Sequence, residues 1–262
     1  MNNESLTDLR VALVQSDLVW ENIPANLEAF DRQLSGITSP ADMVILPEMF
    51  TTGFTNNAPQ LAVKMDGAAV EWMRQHARRM DALVMGSMII EEAGSYYNRL
   101  IAAFPDGELL TYDKRHLFSL MHEQDHYSAG RSRLIFEYKG WKIFPLICYD
   151  LRFPVWSRNV ELADLMIYVA NWPEKRQFHW NLLLNARAVE NQCYVAGVNR
   201  IGEDGGGVPH NGHSAVYDFW GNELVSAKNL QTVVSVTLSR PALDEHRSRF
   251  GFWKDSDTFE IR

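Results

Sequence analysis

The chain has 262 residues, 46% hydrophobic and 22% charged, with 25 Lys+Arg against 33 Asp+Glu and a formal net charge of −8. That length and mix suit a globular chain able to bury a sizeable core, and they exclude collagen-like and largely disordered chains. An acidic chain with no Lys/Arg block lacks the basic stripe that phosphate contacts need, so nucleic acid is not an expected partner.

Taken in chain order, Leu9–Gln15 is predicted as a strand. Ile23, Leu27, Phe30 and Leu34 then share one helical face, with Pro24 suited to the first turn. Asp42–Leu46 is a short buried strand, and Val70, Met73, Ala77 and Met80 mark a second amphipathic helix whose polar side carries Arg74, Arg78 and Arg79. Ala82–Ile90 is a strand, followed by Arg99–Phe104 and Glu108–Tyr112 around the turn Pro105-Asp106-Gly107. Leu134–Tyr138 and Trp141–Cys148 form a hairpin turning at Lys139-Gly140. After the strand Leu165–Ala170, an apolar stripe of Phe178, Leu182, Ala186, Val189 and Cys193 marks a long helix. Strands follow at Tyr194–Asn199, Ser214–Phe219 and Thr232–Leu238, with Gly202–Gly212 as a long loop and Gly221-Asn222 as a turn.

Helices and strands interleave early and the end is β-rich, and strands such as Met43–Leu46 are continuously apolar. A layered α/β fold with sheets covered on both faces follows. No linker divides the chain, so one domain over 1–262 is expected, ending in a docking tail from about residue 240 that carries Phe250, Phe252, Trp253 and Phe259. No apolar run approaches the roughly 18 residues that span a membrane, and a membrane is not an expected partner. The polar start, Met1 to Asp8, lacks the basic and apolar segments of a signal peptide, which makes the cytoplasm the expected compartment.

Three apolar runs end abruptly in functional side chains: Val44–Pro47 in Glu48, Phe144–Ile147 in Cys148, Tyr149 and Asp150, and Ile167–Ala170 in Asn171 and Trp172. In α/β sheets, ligands bind beyond the carboxyl ends of strands. Two cysteines, Cys148 and Cys193, do not make a disulfide framework. A free cysteine is commonly a buried packing group, which suits Cys193 at the end of a helix stripe. Cys148 is followed at once by the polar Tyr149-Asp150-Leu151-Arg152, so its thiol sits at a boundary, as a nucleophile needs. Glu48 is a candidate base and Lys114 a candidate oxyanion partner, against the plainer alternatives of a surface acid and a loop lysine. His122-Glu123-Gln124-Asp125-His126 has the letters of the zinc-protease motif, but that motif needs a helix and a further ligand. This stretch is polar and soon meets Gly130, so no metal is expected.

Four blocks carry a family resemblance: Leu46-Pro47-Glu48-Met49-Phe50, Tyr112-Asp113-Lys114-Arg115-His116-Leu117-Phe118, Cys148-Tyr149-Asp150-Leu151-Arg152-Phe153-Pro154, and Arg187-Ala188-Val189-Glu190-Asn191-Gln192. In order and spacing the chain resembles the nitrilase superfamily of carbon–nitrogen hydrolases. The resemblance implies a four-layer αββα sandwich, catalysis by Glu48, Lys114 and Cys148, a supporting role for Glu123, and no cofactor. It implies a thioester route in which Lys114 and the backbone N–H of Tyr149 meet the oxyanion.

Within the superfamily, the extension Val155-Trp156-Ser157-Arg158-Asn159 and the block Tyr168–Pro173 are similar to bacterial omega-amidases. Those release ammonia from 2-oxoglutaramate and related dicarboxylic monoamides. Such a small-molecule amide needs a cation for its far carboxylate, with Arg152, Arg176 and Arg200 as candidates, while Phe54, Phe118, Asn171 and Trp172 are candidate pocket residues. Arg187 and Glu190, one turn apart, suit an ion pair that supports the site. The resemblance also implies a homodimer or larger assembly. Another amidase, a carbamoyl hydrolase, a nitrile hydrolase or a non-catalytic binding module are the alternatives.

Overall fold

The computed structural model describes residues 8–261; the segment 1–7 and Arg262 lie outside the described residues. The strands are β1 (Leu9–Gln15), β2 (Met43–Ile45), β3 (Leu83–Glu92), β4 (Ser95–Ala103), β5 (Leu109–Asp113), β6 (Phe136–Tyr138), β7 (Trp141–Ile147), β8 (Leu165–Ala170), β9 (Tyr194–Asn199), β10 (Ile201–Glu203), β11 (Pro209–Asn211), β12 (Ala215–Tyr217), β13 (Glu223–Ser226) and β14 (Thr232–Leu238). The helices are α1 (Ile23–Ser35), α2 (Ala58–Leu61), α3 (Ala68–Met80), α4 (Gln177–Asn191) and α5 (Arg240–Arg249).

Two six-stranded sheets form, in the orders β14-β1-β2-β3-β4-β5 and β13-β12-β9-β8-β7-β6. The strands β1, β2 and β3 run parallel, as do β7, β8 and β9, so each sheet has a parallel centre with antiparallel edges. Side chains alternate across a strand. On β1, Leu9, Val11 and Leu13 enter the core between the sheets, while Ala12 and Val14 face outward onto Phe30 and Leu34 of α1. Val70, Met73 and Ala77 of α3 join that outer layer, and Trp180, Leu184 and Ala188 of α4 cover the other sheet. The result is the four-layer αββα sandwich implied by the family resemblance.

Two expectations change. The stripe Phe178, Leu182 and Val189 faces solvent, at 73%, 53% and 47% exposure. The face of α4 that packs on the sheet is Trp180, Leu184 and Ala188, spaced four apart, while the exposed set is spaced four and seven apart; both are helical periods, so periodicity alone could not choose between two apolar faces. Cys193 follows the helix and is fully buried. The Gly-rich stretch 202–212 also holds a small hairpin, β10 with β11.

The C-terminal segment docks through charge and rings. Asp164 accepts from Arg240 and Arg247 of α5 at 2.8 and 2.7 Å. Phe250 packs against Trp220 and His246, and the backbone N–H of Trp253 donates to Gln192 Oε1. Phe252 and Phe259 remain exposed.

Candidate active site

The parallel centres of the two sheets end at the same place. β2 delivers Glu48 two residues beyond Leu46, β7 delivers Cys148, and β8, in register with β7 through Ile147 and Val169, delivers Asn171. The chain turns sharply at two of these ends: Met49 and Cys148 have φ of 42° and 41°, a left-handed conformation costly for residues with a Cβ. For Cys148 this turn opens a 3-10 helix over Cys148–Arg152, whose first N–H groups need partners outside the helix.

Glu48, Lys114 and Glu123 are 0–1% exposed, yet each charge is met. Lys114 Nζ donates to Glu48 Oε1 at 2.9 Å and to Glu123 Oε1 and Oε2 at 3.0 and 2.9 Å. Buried ions persist only when paired and hydrogen-bonded in this way. The remaining Glu48 acceptors are also filled: Asn98 Nδ2 donates to Oε1 at 2.8 Å, the Asn171 backbone N–H to Oε2 at 2.8 Å, and Asn171 Nδ2 to the Glu48 carbonyl. Asn98 is itself oriented by Ser87 Oγ, which accepts from the Met49 N–H. Glu123 accepts from the Phe118 backbone N–H as well.

The electrostatics follow from burial and these neighbours. Burial works against the Lys114 charge, but Glu123 and Glu48 outweigh it and hold the ammonium well above the ordinary lysine range. Burial pushes Glu123 up, against the pull of Lys114. Burial, then the charge of the neighbouring Glu48, pushes the Cys148 thiol well above its usual range, which favours the thiol over the thiolate until a base takes its proton.

Glu48, Lys114, Cys148, Tyr149, Phe54, Phe118, Arg152, Asn171, Trp172 and Arg176 all line one pocket, closed further by Leu120, Met121, Pro173, Asp204, Val208 and His210. Glu123 sits behind Lys114, outside that lining. The histidines flanking it, His122 and His126, are exposed and sit on short 3-10 turns, so they do not share a helix face. Arg200 is corrected as a pocket candidate: it is fully buried and ties Asp17 to the Leu18 and Glu203 carbonyls. Arg152 lies over the Trp172 ring and contacts His179, while Arg176 lies over Phe118 at 5.4 Å. No ion pair or hydrogen bond engages the Arg176 guanidinium among the described residues. Arg187 pairs with Glu190 and donates to the Leu151 carbonyl at 2.7 Å, which braces the turn that carries Cys148.

Sequence reasoning missed Asn98, His210 and Asp204. Asn98 sits mid-strand between Tyr97 and Arg99 and is fully buried, and its polarity was the only available signal. His210 is pushed down to about 4 by burial and the charge of Arg200, so it is neutral. Its Nδ1 faces the Val208 carbonyl, which can only accept, so Nε2 is left as an acceptor in the pocket wall.

The model of the carbon-nitrogen hydrolase family matches residues 10–248. The chain belongs to that family. It is therefore a carbon–nitrogen hydrolase built on the nitrilase-type sandwich. Omega-amidase YafV of Escherichia coli K12 is 47% identical over 97% of this chain and 98% of its own. The 2-oxoglutaramate amidase of Bacillus subtilis is 32% identical over 94% and 96%. A solved CN-hydrolase superfamily protein of Xanthomonas campestris, with an arsenic adduct in its active site, superposes with a TM-score of 0.95 at 46% identity over 97% of this chain and 99% of that one.

Proposed function

We propose that this carbon–nitrogen hydrolase is an omega-amidase that hydrolyses the terminal amide of 2-oxoglutaramate and related dicarboxylic monoamides through a thioester on Cys148. The observation that carries this is one pocket lined by the Cys148 thiol, Glu48 and Lys114, together with two arginines, Arg152 and Arg176, that have no carboxylate partner among the described residues.

The chemistry starts at the Cys148 thiol. Glu48 takes the thiol proton as Sγ attacks the amide carbon, and the carbonyl electrons move onto oxygen. Lys114 and the Tyr149 backbone N–H meet that oxyanion. Lys114 makes two of its contacts to the two oxygens of Glu123, and relaxing one of them frees an N–H for the oxyanion. One such donor is worth about 3–4 kcal/mol of barrier. The protonated Glu48 gives its proton to the departing nitrogen, ammonia leaves, and a thioester remains. Glu48 then takes a proton from water as the oxygen adds to the thioester carbon, and collapse breaks the C–S bond, releases the acid and returns the Glu48 proton to the departing sulfur. Glu123 holds Lys114 in place throughout.

Substrate choice rests on the mouth. Arg176, with no polar partner for its guanidinium among the described residues and with Phe118 beneath it, suits the far carboxylate. Arg152 adds charge but is shared with His179. His210 Nε2 offers an acceptor to an amide N–H, which a nitrile lacks. The exposed apolar stripe of α4 supports a homodimer through that helix, which begins next to Arg176.

Ammonia release from 2-oxoglutaramate, succinamate, glutamine and a simple nitrile tests the proposal, with Cys148→Ala as control. Fast, Cys148-dependent release from the first two is expected. Release confined to glutamine or the nitrile would overturn the substrate, and full turnover by Cys148→Ala would overturn the mechanism.

A further inference from the structure

Behind the pocket floor lies a buried carboxylate that the mechanism above does not use. Asp150 stands two residues after Cys148 and is 0% exposed. Its Oδ2 accepts from Tyr112 Oη at 2.7 Å and from the Ile147 backbone N–H at 3.1 Å. Its Oδ1 accepts from the His116 backbone N–H at 3.0 Å and from His116 Nδ1 at 2.8 Å. A carboxylate has room for about four donors, and all four are present.

The donors come from two separate segments. Tyr112 and His116 flank Lys114, two residues to either side, and Ile147 is the residue before the thiol. A single side chain therefore binds the stretch that carries the ammonium to the turn that carries the nucleophile.

Other contacts fix the clasp in one arrangement. Tyr112 Oη also accepts from Trp156 Nε1 at 3.0 Å, which leaves its own hydrogen for Asp150. His116 stacks on Phe153 at 3.8 Å, and Phe153 packs edge-on against Tyr149. Ser157 Oγ donates to the Asp150 carbonyl at 3.1 Å. A left-handed residue such as Cys148 persists only where its surroundings over-determine it, and these contacts do so.

We propose that Asp150 is a positioning residue that sets the relation of Lys114 to the Cys148 turn, so that the ammonium and the Tyr149 N–H converge on one oxyanion. The proposal rests on the roles given above to Lys114 and Cys148. A misplacement of about 1 Å at a reacting centre costs on the order of 100-fold in rate.

Asp150→Asn keeps the shape but turns one oxygen into an N–H₂. In either orientation the new donor faces a backbone N–H, that of Ile147 or that of His116. Tyr112→Phe removes one donor and keeps the ring, and it carries the test if Asp150→Asn does not fold. The measurements are kcat and KM for 2-oxoglutaramate per thiol titrated with iodoacetamide, beside the thermal midpoint. The expected result is a fall in kcat of about 100-fold for Asp150→Asn and about three- to tenfold for Tyr112→Phe, with KM within about threefold. Lower thermal midpoints with kcat per titrated thiol within twofold would assign Asp150 to the fold alone and overturn the proposal. If Cys148→Ala abolishes turnover while Asp150→Asn does not impair it, only the clasp fails. If Cys148→Ala turns over normally, the reading beneath it fails.

Discussion

The floor and the mouth of the pocket are built by opposite rules. At the floor, Glu48, Lys114 and Glu123 are almost wholly buried, and their charged groups are held by backbone, by Asn98 or by one another. At the mouth, Leu120 and Met121 are 73% and 48% exposed, and Arg176 rests on a ring with no polar partner among the described residues. The floor is fixed by where sheets end, so it can place donors to within a fraction of an ångström. The mouth is made of side chains that are partly open to solvent. If the floor carries the chemistry and the mouth the substrate choice, as proposed, substitutions should split the two.

The largest effect is expected at the floor. Glu48→Gln keeps an acceptor for Lys114 but removes the proton acceptor, and kcat should fall by about 10³-fold with KM little changed. The same variant sharpens the electrostatics. The Glu48 charge helps hold the thiol up, so removing it favours the thiolate, and the midpoint of iodoacetamide alkylation against pH should move down. An unchanged midpoint would mean that burial alone sets the thiol. Next comes the mouth: Arg176→Ala should raise KM for a dicarboxylic monoamide by about 10- to 100-fold, the worth of one charge-assisted hydrogen bond, and leave a neutral amide of similar length unaffected. If both substrates suffer alike, Arg176 shapes the pocket and does not read the carboxylate. The smallest catalytic effect is expected outside both regions. Leu182→Glu places a charge in the exposed stripe of α4 and should convert a dimer to monomer in sedimentation while kcat stays within a few-fold.

The same contrast explains what the sequence made legible. β1, β8, β9 and β14 fall at their predicted bounds, because continuous or alternating apolar runs leave little choice of register. The buried face of α4 is not legible because Trp180, Leu184 and Ala188 compete with Phe178, Leu182 and Val189, both at helical spacing, and only the sheet decides which set is covered. Glu48, Lys114 and Cys148 announce themselves singly, at the ends of strands. Periodicity gives no distance between residues 66 apart, such as the 2.9 Å pair of Lys114 with Glu48; only the family resemblance joined them. Glu123 lay inside a metal-like motif, and the 3-10 turns that point it at Lys114 have no sequence period to betray them. Arg200 shows the converse: a plausible cation by composition, spent on Asp17 and backbone carbonyls. Asn98 orients Glu48 from mid-strand, where only its polarity stood out.

The central claim is a covalent acyl group on Cys148. Rapid acid quench of the enzyme with saturating 2-oxoglutaramate, followed by peptide mass mapping, tests it most directly. The account expects the acyl mass on the peptide containing Cys148, its loss when hydroxylamine is present during turnover, and a matching hydroxamate in solution. Ammonia release at full rate with no acyl mass on that peptide, or with the mass on another residue, would contradict it.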